Sequence, residues 1–269
     1  MVNEKEMFSA NKKGWDERVE THLASELYNM EAFRAGKSSL KKEELEALRD
    51  VQGKSLLHLQ CHFGQDTLSW ARKGAVVTGV DISSEALKAA REISSDLDIP
   101  ATFVESNILD LKENLEGRFD IIFTSYGTVG WLNDLNKWAD VIQHFLKPGG
   151  TFYMIDFHPF VWMWDNQRTK IEYDYFKTEE PIITHEKGTY ADHDAELERT
   201  EYSWNHGMSE IISALLKAGL ELVEFKEYPF SNYNVFPNMK AIGEGRWVFE
   251  ELEEKVPYMY SLKLEKRVK

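Results

Sequence analysis

The chain has 269 residues, carries a formal charge of −14, and is 42% hydrophobic and 13% aromatic. That apolar content can fill a sizeable core and excludes global disorder, while the acidic balance opposes a non-specific grip on nucleic acid, where Lys and Arg must neutralise phosphate. A single cysteine, Cys61, excludes an intrachain disulfide and a cysteine-based zinc cluster. Met1 to Lys13 is polar and lacks the apolar core of a secretory signal, and no run approaches the ~18 apolar residues of a membrane span. A reduced, cytoplasmic, globular protein without a membrane anchor is expected.

In chain order, the first fifty residues read as helical. Trp15 to Arg34 places Val19, Leu23, Leu27 and Met30 at a helical period, and Ser39 is positioned to cap a helix carrying Leu45 and Leu48 before Gly53 ends it. From Lys54 the pattern becomes regular alternation. Strands are predicted at Ser55 to Leu59, Ala75 to Val80, Ala101 to Glu105, Phe119 to Ser125 and Thr151 to Phe157, with helices at Gln65 to Lys73, Ser84 to Leu97 and Asp134 to Leu146. Lys147-Pro148-Gly149-Gly150 stops the last of these helices. Such alternation predicts a parallel sheet with right-handed crossovers.

Phe157 to Trp204 breaks the rhythm. It is acidic and aromatic, with period-2 alternation at Ile171-Tyr173-Tyr175 and Thr200-Tyr202-Trp204, and is expected to be an inserted antiparallel element. A helix from Met208 to Ala218 follows, closed by Gly219, and two more strands are expected at Leu220 to Tyr228 and Tyr258 to Lys266 around a proline-containing loop. The fold class is therefore α/β: a Rossmann-like, seven-stranded, mostly parallel sheet with helices on both faces, an N-terminal helical segment and an antiparallel insertion after strand five. The expected divisions are a helical cap (1–53), a cofactor-binding core (54–157), an inserted lid (158–204) and the C-terminal part of the core (205–269).

Ligands of open α/β sheets bind beyond the carboxyl ends of the strands. After strand one, Gln60-Cys61-His62-Phe63-Gly64 offers one glycine for close backbone approach, but not a G-x-G-x-x-G. After strand two, Asp81, followed by Ile82, can accept two hydrogen bonds from ribose hydroxyls, or can assist the cap of the next helix. After strand three, Asn107 and Ile108 could read an adenine edge and face, or Asn107 could bond its own backbone in a turn. Ser125 and Tyr126 follow strand four. Asp156 and His158 follow strand five, with His158 a weak candidate base, since a lone histidine is more often structural. His185 and His193 lack H-E-x-x-H spacing, and no metal site is expected.

The order Leu56-Leu57-His58-Leu59-Gln60-Cys61-His62-Phe63-Gly64, Gly79-Val80-Asp81-Ile82-Ser83, Phe119-Asp120-Ile121-Ile122-Phe123 and Leu146-Lys147-Pro148-Gly149-Gly150 resembles class I S-adenosylmethionine-dependent methyltransferases. The His-Leu-Gln-Cys-His-Phe-Gly loop with Thr124-Ser125-Tyr126-Gly127 is similar to one bacterial subgroup of that class. The resemblance implies that Gln60, Cys61, His62 and Gly64 cradle the methionine part of the cofactor and that Asp81 and Ile82 hold the ribose end. It also implies that Asn107 and Ile108 contact adenine and that Ser125 lies near the sulfonium. Three departures stand out: His58 replaces the usual acidic residue, Gln60 and His62 replace two glycines, and Asn107 replaces the usual Asp.

The implied activity is direct methyl transfer to a small-molecule acceptor. The sulfonium already activates the methyl, so alignment and exclusion of water are the main demands and no triad is required. The aromatic insertion then serves as a lid, or alternatively as a surface sheet or homodimer contact. Two rivals remain at this point: a non-catalytic S-adenosylmethionine- or S-adenosylhomocysteine-binding protein of the same fold, and a nucleotide-linked oxidoreductase.

Overall fold

The computed structural model describes residues 3–165 and 167–268. Met1, Val2, Asn166 and Lys269 lie outside the described residues, as do the sequence expectations that touch them.

The alternating segment forms the expected elements, together with a short unexpected helix at Leu111–Asn114 and a fifth strand that begins five residues earlier than the strand expected at Thr151. Strands β1 (Ser55–Leu59), β2 (Val76–Asp81), β3 (Thr102–Glu105), β4 (Phe119–Ser125) and β5 (Leu146–Phe157) alternate with helices. These helices are α5 (Gln65–Arg72), α6 (Ser84–Asp96), α7 (Leu111–Asn114) and α8 (Leu135–Phe145), counted after four N-terminal helices. Side-chain caps start two of them: Ser83 accepts from the Ala86 amide for α6, and Asp134 accepts from the Asn136 and Lys137 amides for α8. With α9 (Met208–Lys217), β8 (Leu220–Tyr228) and β11 (Met259–Lys266), the seven-stranded sheet has the order β3-β2-β1-β4-β5-β11-β8.

β1 to β5 run parallel, and β11 pairs antiparallel with both β5 and β8. Strand order reverses between β1 and β4, which is where such sheets open a crevice at their carboxyl ends. Successive residues of the central strands point to opposite faces: Leu57 and Ile122 pack with Trp138 and Ile142 of α8, while Leu56 and Phe123 pack with Trp70 of α5. Burial on both faces explains why β1 and β4 are nearly all apolar.

The larger differences from the sequence expectations lie outside this core. The helical period over Trp15 to Arg34 breaks into the end of α1 (Glu4–Glu17), α2 (Val19–Ala24) and α3 (Met30–Arg34). Arg18, buried at 2% exposure, turns its guanidinium to Glu201, and Asn29 adopts φ +40° before α3. Ser39 does not cap a helix: its hydroxyl bonds Ser69 at 3.0 Å, and α4 (Lys42–Ala47) begins after Lys41. The inserted antiparallel element is present as the hairpin β6 (Ile182–Lys187) and β7 (Glu198–Ser203). The alternation at Ile171-Tyr173-Tyr175 yields only an isolated bridge between Ile171 and Trp164. A second hairpin, β9 (Met239–Gly243) with β10 (Arg246–Phe249), sits in the loop between β8 and β11 and was not expected. Five residues and a Gly-rich turn give too short a periodic signal to separate from loop.

Candidate functional site at the carboxyl edge of the sheet

The turn after β1 holds Gln60 at φ +57°, His62 at φ +50° and Gly64 at φ +75°. Two of these are ordinary L-residues in left-handed backbone, a conformation costing roughly 1–2 kcal/mol each. The loop thus keeps a glycine-type backbone path despite its side chains. Those side chains are used: Gln60 Nε2 donates to the Thr128 carbonyl at 3.0 Å, and His62 Nε2 lies 2.8 Å from His22 Nδ1. Strained backbone persists where surrounding contacts over-determine it, commonly at ligand sites.

Asp81 ends β2 beside this turn. Its carboxylate accepts from the His62 amide (2.7 Å) and the Ser83 amide (2.9 Å), and burial pushes it up to about 6 despite those bonds. The Ser106 amide donates to the Asp81 carbonyl at 2.9 Å, bringing the end of β3 and hence Asn107 alongside. Asn107 Oδ1 accepts from the Leu109 amide at 3.1 Å, the local turn bond that the sequence offered as one alternative. Ser125 donates to Asp66 Oδ2 at 3.1 Å, and the Ile82 carbonyl accepts from Lys12 at 3.0 Å.

Some of the expected residues serve packing. Cys61 is 4% exposed within the cluster formed by Phe63, Leu87 and Phe103, and Ile108 is 3% exposed within the main core. Only the backbone of Cys61 belongs to the turn. His58 bonds Thr67 at 2.8 Å, tying β1 to α5, and burial lowers it to about 4. His158 accepts from the Phe160 amide at 3.1 Å, and its other ring nitrogen lies 3.1 Å from Glu227, out of line for a full hydrogen bond. It faces Glu227 and Tyr260, a structural setting. Asp156 is fully engaged: it accepts from the amides of Gly127, Thr128, Val129 and Phe157 and from the Thr128 hydroxyl. It thereby fixes the loop after β4.

A roof lies over this edge. Lys12 and Asp16 of α1 reach Ser84 and Ser83, and Asn11 bonds the Tyr202 backbone in both directions, at 2.7 and 2.9 Å. Trp15 meets the rings of His62 and Trp131 at 5.3 and 5.4 Å, and Tyr28 bonds Tyr190 at 2.6 Å. Burial and the nearby Arg18 cation hold His62 down at about 3, and burial with His62 holds His22 down to about 2, so the pair is neutral. In a neutral pair one ring donates to the other, leaving one further donor and one acceptor.

Several residues here escaped sequence reasoning. Arg18, His22, Tyr28 and Tyr190 come to the site from segments without motifs. Glu44, Asp66, Asn232 and Tyr233 gather beside Ser125 and Tyr126, whose place after strand four was read from sequence but whose positive φ (+45°) had no signal beyond the Gly that follows it. Among the described residues, no group of His, Cys, Asp and Glu is arranged to hold a metal ion.

Comparison with known proteins decides what kind of core this is. Residues 57–152 match the family model of a methyltransferase domain. The chain is 34% identical over 131 residues to an uncharacterized methyltransferase of Synechocystis sp., covering 48% of this chain and 59% of that one. It is 32% identical over 100 residues to a ubiquinone biosynthesis O-methyltransferase of Photorhabdus laumondii, covering 37% and 41%. The matches thus span between two-fifths and three-fifths of those relatives. A crystal structure of an S-adenosylmethionine-dependent methyltransferase from Clostridium acetobutylicum superposes with a TM-score of 0.58 at 14% identity, over 96% of this chain and 99% of that one. Residues 57–152 are thus similar to a methyltransferase domain, and the chain shares the fold of S-adenosylmethionine-dependent methyltransferases. Asp81 and Ser125 end β2 and β4, and Asn107 follows β3, all within the matched segment.

Proposed function

We propose that the chain is a methyltransferase that moves the methyl group of S-adenosylmethionine directly to a small acceptor in the reducing cytoplasm. The observation that carries this reading is the buried Asp81 carboxylate beside a left-handed Gln60–Gly64 turn. Each carboxylate oxygen accepts one backbone amide and keeps a lone pair for a ribose hydroxyl.

Orphaned polar atoms support the fit. Gln60 Oε1, His62 Nδ1 and His22 Nε2 are buried without hydrogen-bond partners, a state costing about 1–3 kcal/mol each unless a ligand completes them. An amino acid moiety carries the donors and acceptors to do so. α5 begins at Gly64 without a side-chain cap, so its first amides are oriented toward an anion such as the methionine carboxylate. Asn107, its carbonyl engaged, would donate to an adenine ring nitrogen, and Ser125 would border the sulfonium. The bound cofactor supplies an activated methyl. The protein aligns the acceptor and keeps water out, the task of α1, α2 and the β6–β7 hairpin as a lid. Contact between α1 and β7 supports a lid in preference to a dimer surface. On this reading 1–53 is the cap, 54–157 with 205–269 the core, and 158–204 the lid.

A non-catalytic binding protein is the second reading, favoured by the side chains at positions 60 and 62. Isothermal titration with S-adenosylmethionine, S-adenosylhomocysteine and NADH tests the family of readings. Saturable binding of both adenosyl ligands and none of NADH is expected, and binding of NADH alone would overturn the methyltransferase reading. Tritium transfer from labelled S-adenosylmethionine to an acceptor then separates enzyme from sensor.

A further inference from the structure

The carboxyl end of β4 carries a second polar chamber that the cofactor reading does not use. Glu44, in the first turn of α4, is 0% exposed. One of its carboxylate oxygens accepts from the Lys41 amide, and the other, Oε1, is buried without a hydrogen-bond partner. Burial, with the nearby Asp66 carboxylate, drives Glu44 well above the usual carboxylate range, while Tyr126 and Lys41 oppose the shift. Tyr126 stands at the end of β4 in left-handed backbone, its ring 4.8 Å from that of Tyr233. Asn232 Nδ2 joins the Tyr126 hydroxyl (3.2 Å) to Glu43 (3.0 Å). Asp66 completes the wall through Ser125. Tyr126 and Tyr233 are deep within the protein yet each keeps accessible surface, as side chains lining a cleft do.

Three carboxyl groups, Glu43, Glu44 and Asp66, therefore meet one cation, Lys41, whose Nζ lies 4.4 Å over the Tyr233 ring. The excess charge is negative and the remaining walls are tyrosine faces. That combination disfavours an anionic acceptor through like-charge repulsion and favours an ammonium, which gains from both carboxylates and aromatic faces. Ser125 links this chamber to the expected sulfonium position.

We infer that this chamber is the acceptor site, that the acceptor is a primary or secondary amine, and that Glu44 is its catalytic base. The inference rests on the methyltransferase reading. The amine enters as an ammonium and gives one N–H proton to Glu44 Oε1. Its freed lone pair forms the N–C bond to the methyl carbon as the C–S bond breaks, and that electron pair stays on sulfur as a neutral thioether. The product leaves as a methylated ammonium, and Glu44 returns its proton to solvent when the roof opens. A buried carboxylate without a partner on one oxygen is suited to this transfer.

Glu44→Gln is the discriminating variant, because glutamine still accepts from the Lys41 amide in the capping position but cannot take a proton. The full chain is assayed with labelled S-adenosylmethionine against aryl and alkyl amines, each paired with the alcohol and the carboxylic acid of matching shape. Methylation confined to amines is expected. In E44Q, kcat/KM should fall by about 10²–10⁴-fold and the rising acidic limb of its pH profile should vanish. The groups that face Glu44 and shape that limb are Lys41, Glu43, Asp66, Tyr126 and Tyr233. Calorimetric affinity of E44Q for S-adenosylhomocysteine should match the native chain. Preference for alcohols or acids, an E44Q rate equal to native, or adenosyl binding with no amine methylated would each overturn the inference. Failure of both proteins to bind S-adenosylhomocysteine would instead overturn the methyltransferase reading beneath it.

Discussion

Replacing Asp81 with asparagine will weaken S-adenosylhomocysteine binding by about 10²–10⁴-fold. Two ribose hydroxyls donating to a carboxylate are worth about 1.5–3 kcal/mol each, which converts to that range of affinity. An amide preserves the shape but presents an NH2 to one of the two backbone donors, the His62 or the Ser83 amide, that the carboxylate now accepts. The loop is therefore perturbed together with the ribose contact. Calorimetry reads the loss, with circular dichroism confirming the fold, and an affinity within about threefold of native would contradict the assignment.

The same carboxylate predicts a pH dependence. Burial raises Asp81 to about 6 without ligand, whereas ribose donors favour its charged form and lower it in the complex. Binding near pH 6 must then release a proton, so affinity rises with pH up to about 6 and levels above it. Asp81→Asn should abolish that dependence.

Gly64→Ala will destabilise the protein by about 2–5 kcal/mol. Gly64 sits at φ +75°, and a Cβ there would lie 2.8 and 2.9 Å from the Phe103 ring and 3.2 Å from Ala90. Phe103 is 7% exposed within a packed cluster, so its ring has no free direction of retreat. The left-handed backbone contributes roughly 1–2 kcal/mol and the overpacking about 1–3 kcal/mol. Gly53→Ala separates these contributions. Gly53 has φ +71° but open space around its Cβ position, so only the backbone part should appear. Urea denaturation measures both, and equal losses in the two variants would show that the contact with Phe103 costs nothing.

What the sequence disclosed follows from where the signals are local. β1 through β5 with α5, α6 and α8 were legible because burial on both faces of a parallel sheet writes a continuous apolar run, bounded by caps such as Ser83 and Asp134, whereas the one-turn α7 is too short to leave a period. Asp81 was legible as a position, because the apolar run of β2 ends on an acidic residue. The backbone of the Gln60–Gly64 turn was not, since left-handed φ at Gln60 and His62 contradicts residue preference and is imposed by contacts from Thr128 and His22.

The two segments of the roof were expected as a cap and a lid, but the contacts that join them were illegible for a related reason. Arg18, His22 and Tyr190 meet across more than a hundred residues of chain, and no spacing rule connects them. Glu44 reads in sequence as one acid among several on an exposed helical turn. In the fold it is 0% exposed, with Tyr126, Asp66 and Lys41 around it. His158 shows the converse, where position at a strand end suggested chemistry but one ring nitrogen accepts from the Phe160 amide and the other lies beside Glu227.

The most direct test of the account is a crystal structure with S-adenosylhomocysteine bound. The ribose hydroxyls are predicted on the Asp81 carboxylate, with the sulfur directed past Ser125 toward Glu44. An adenosyl ligand seated elsewhere, with Asp81 touching only the His62 and Ser83 amides, would contradict it.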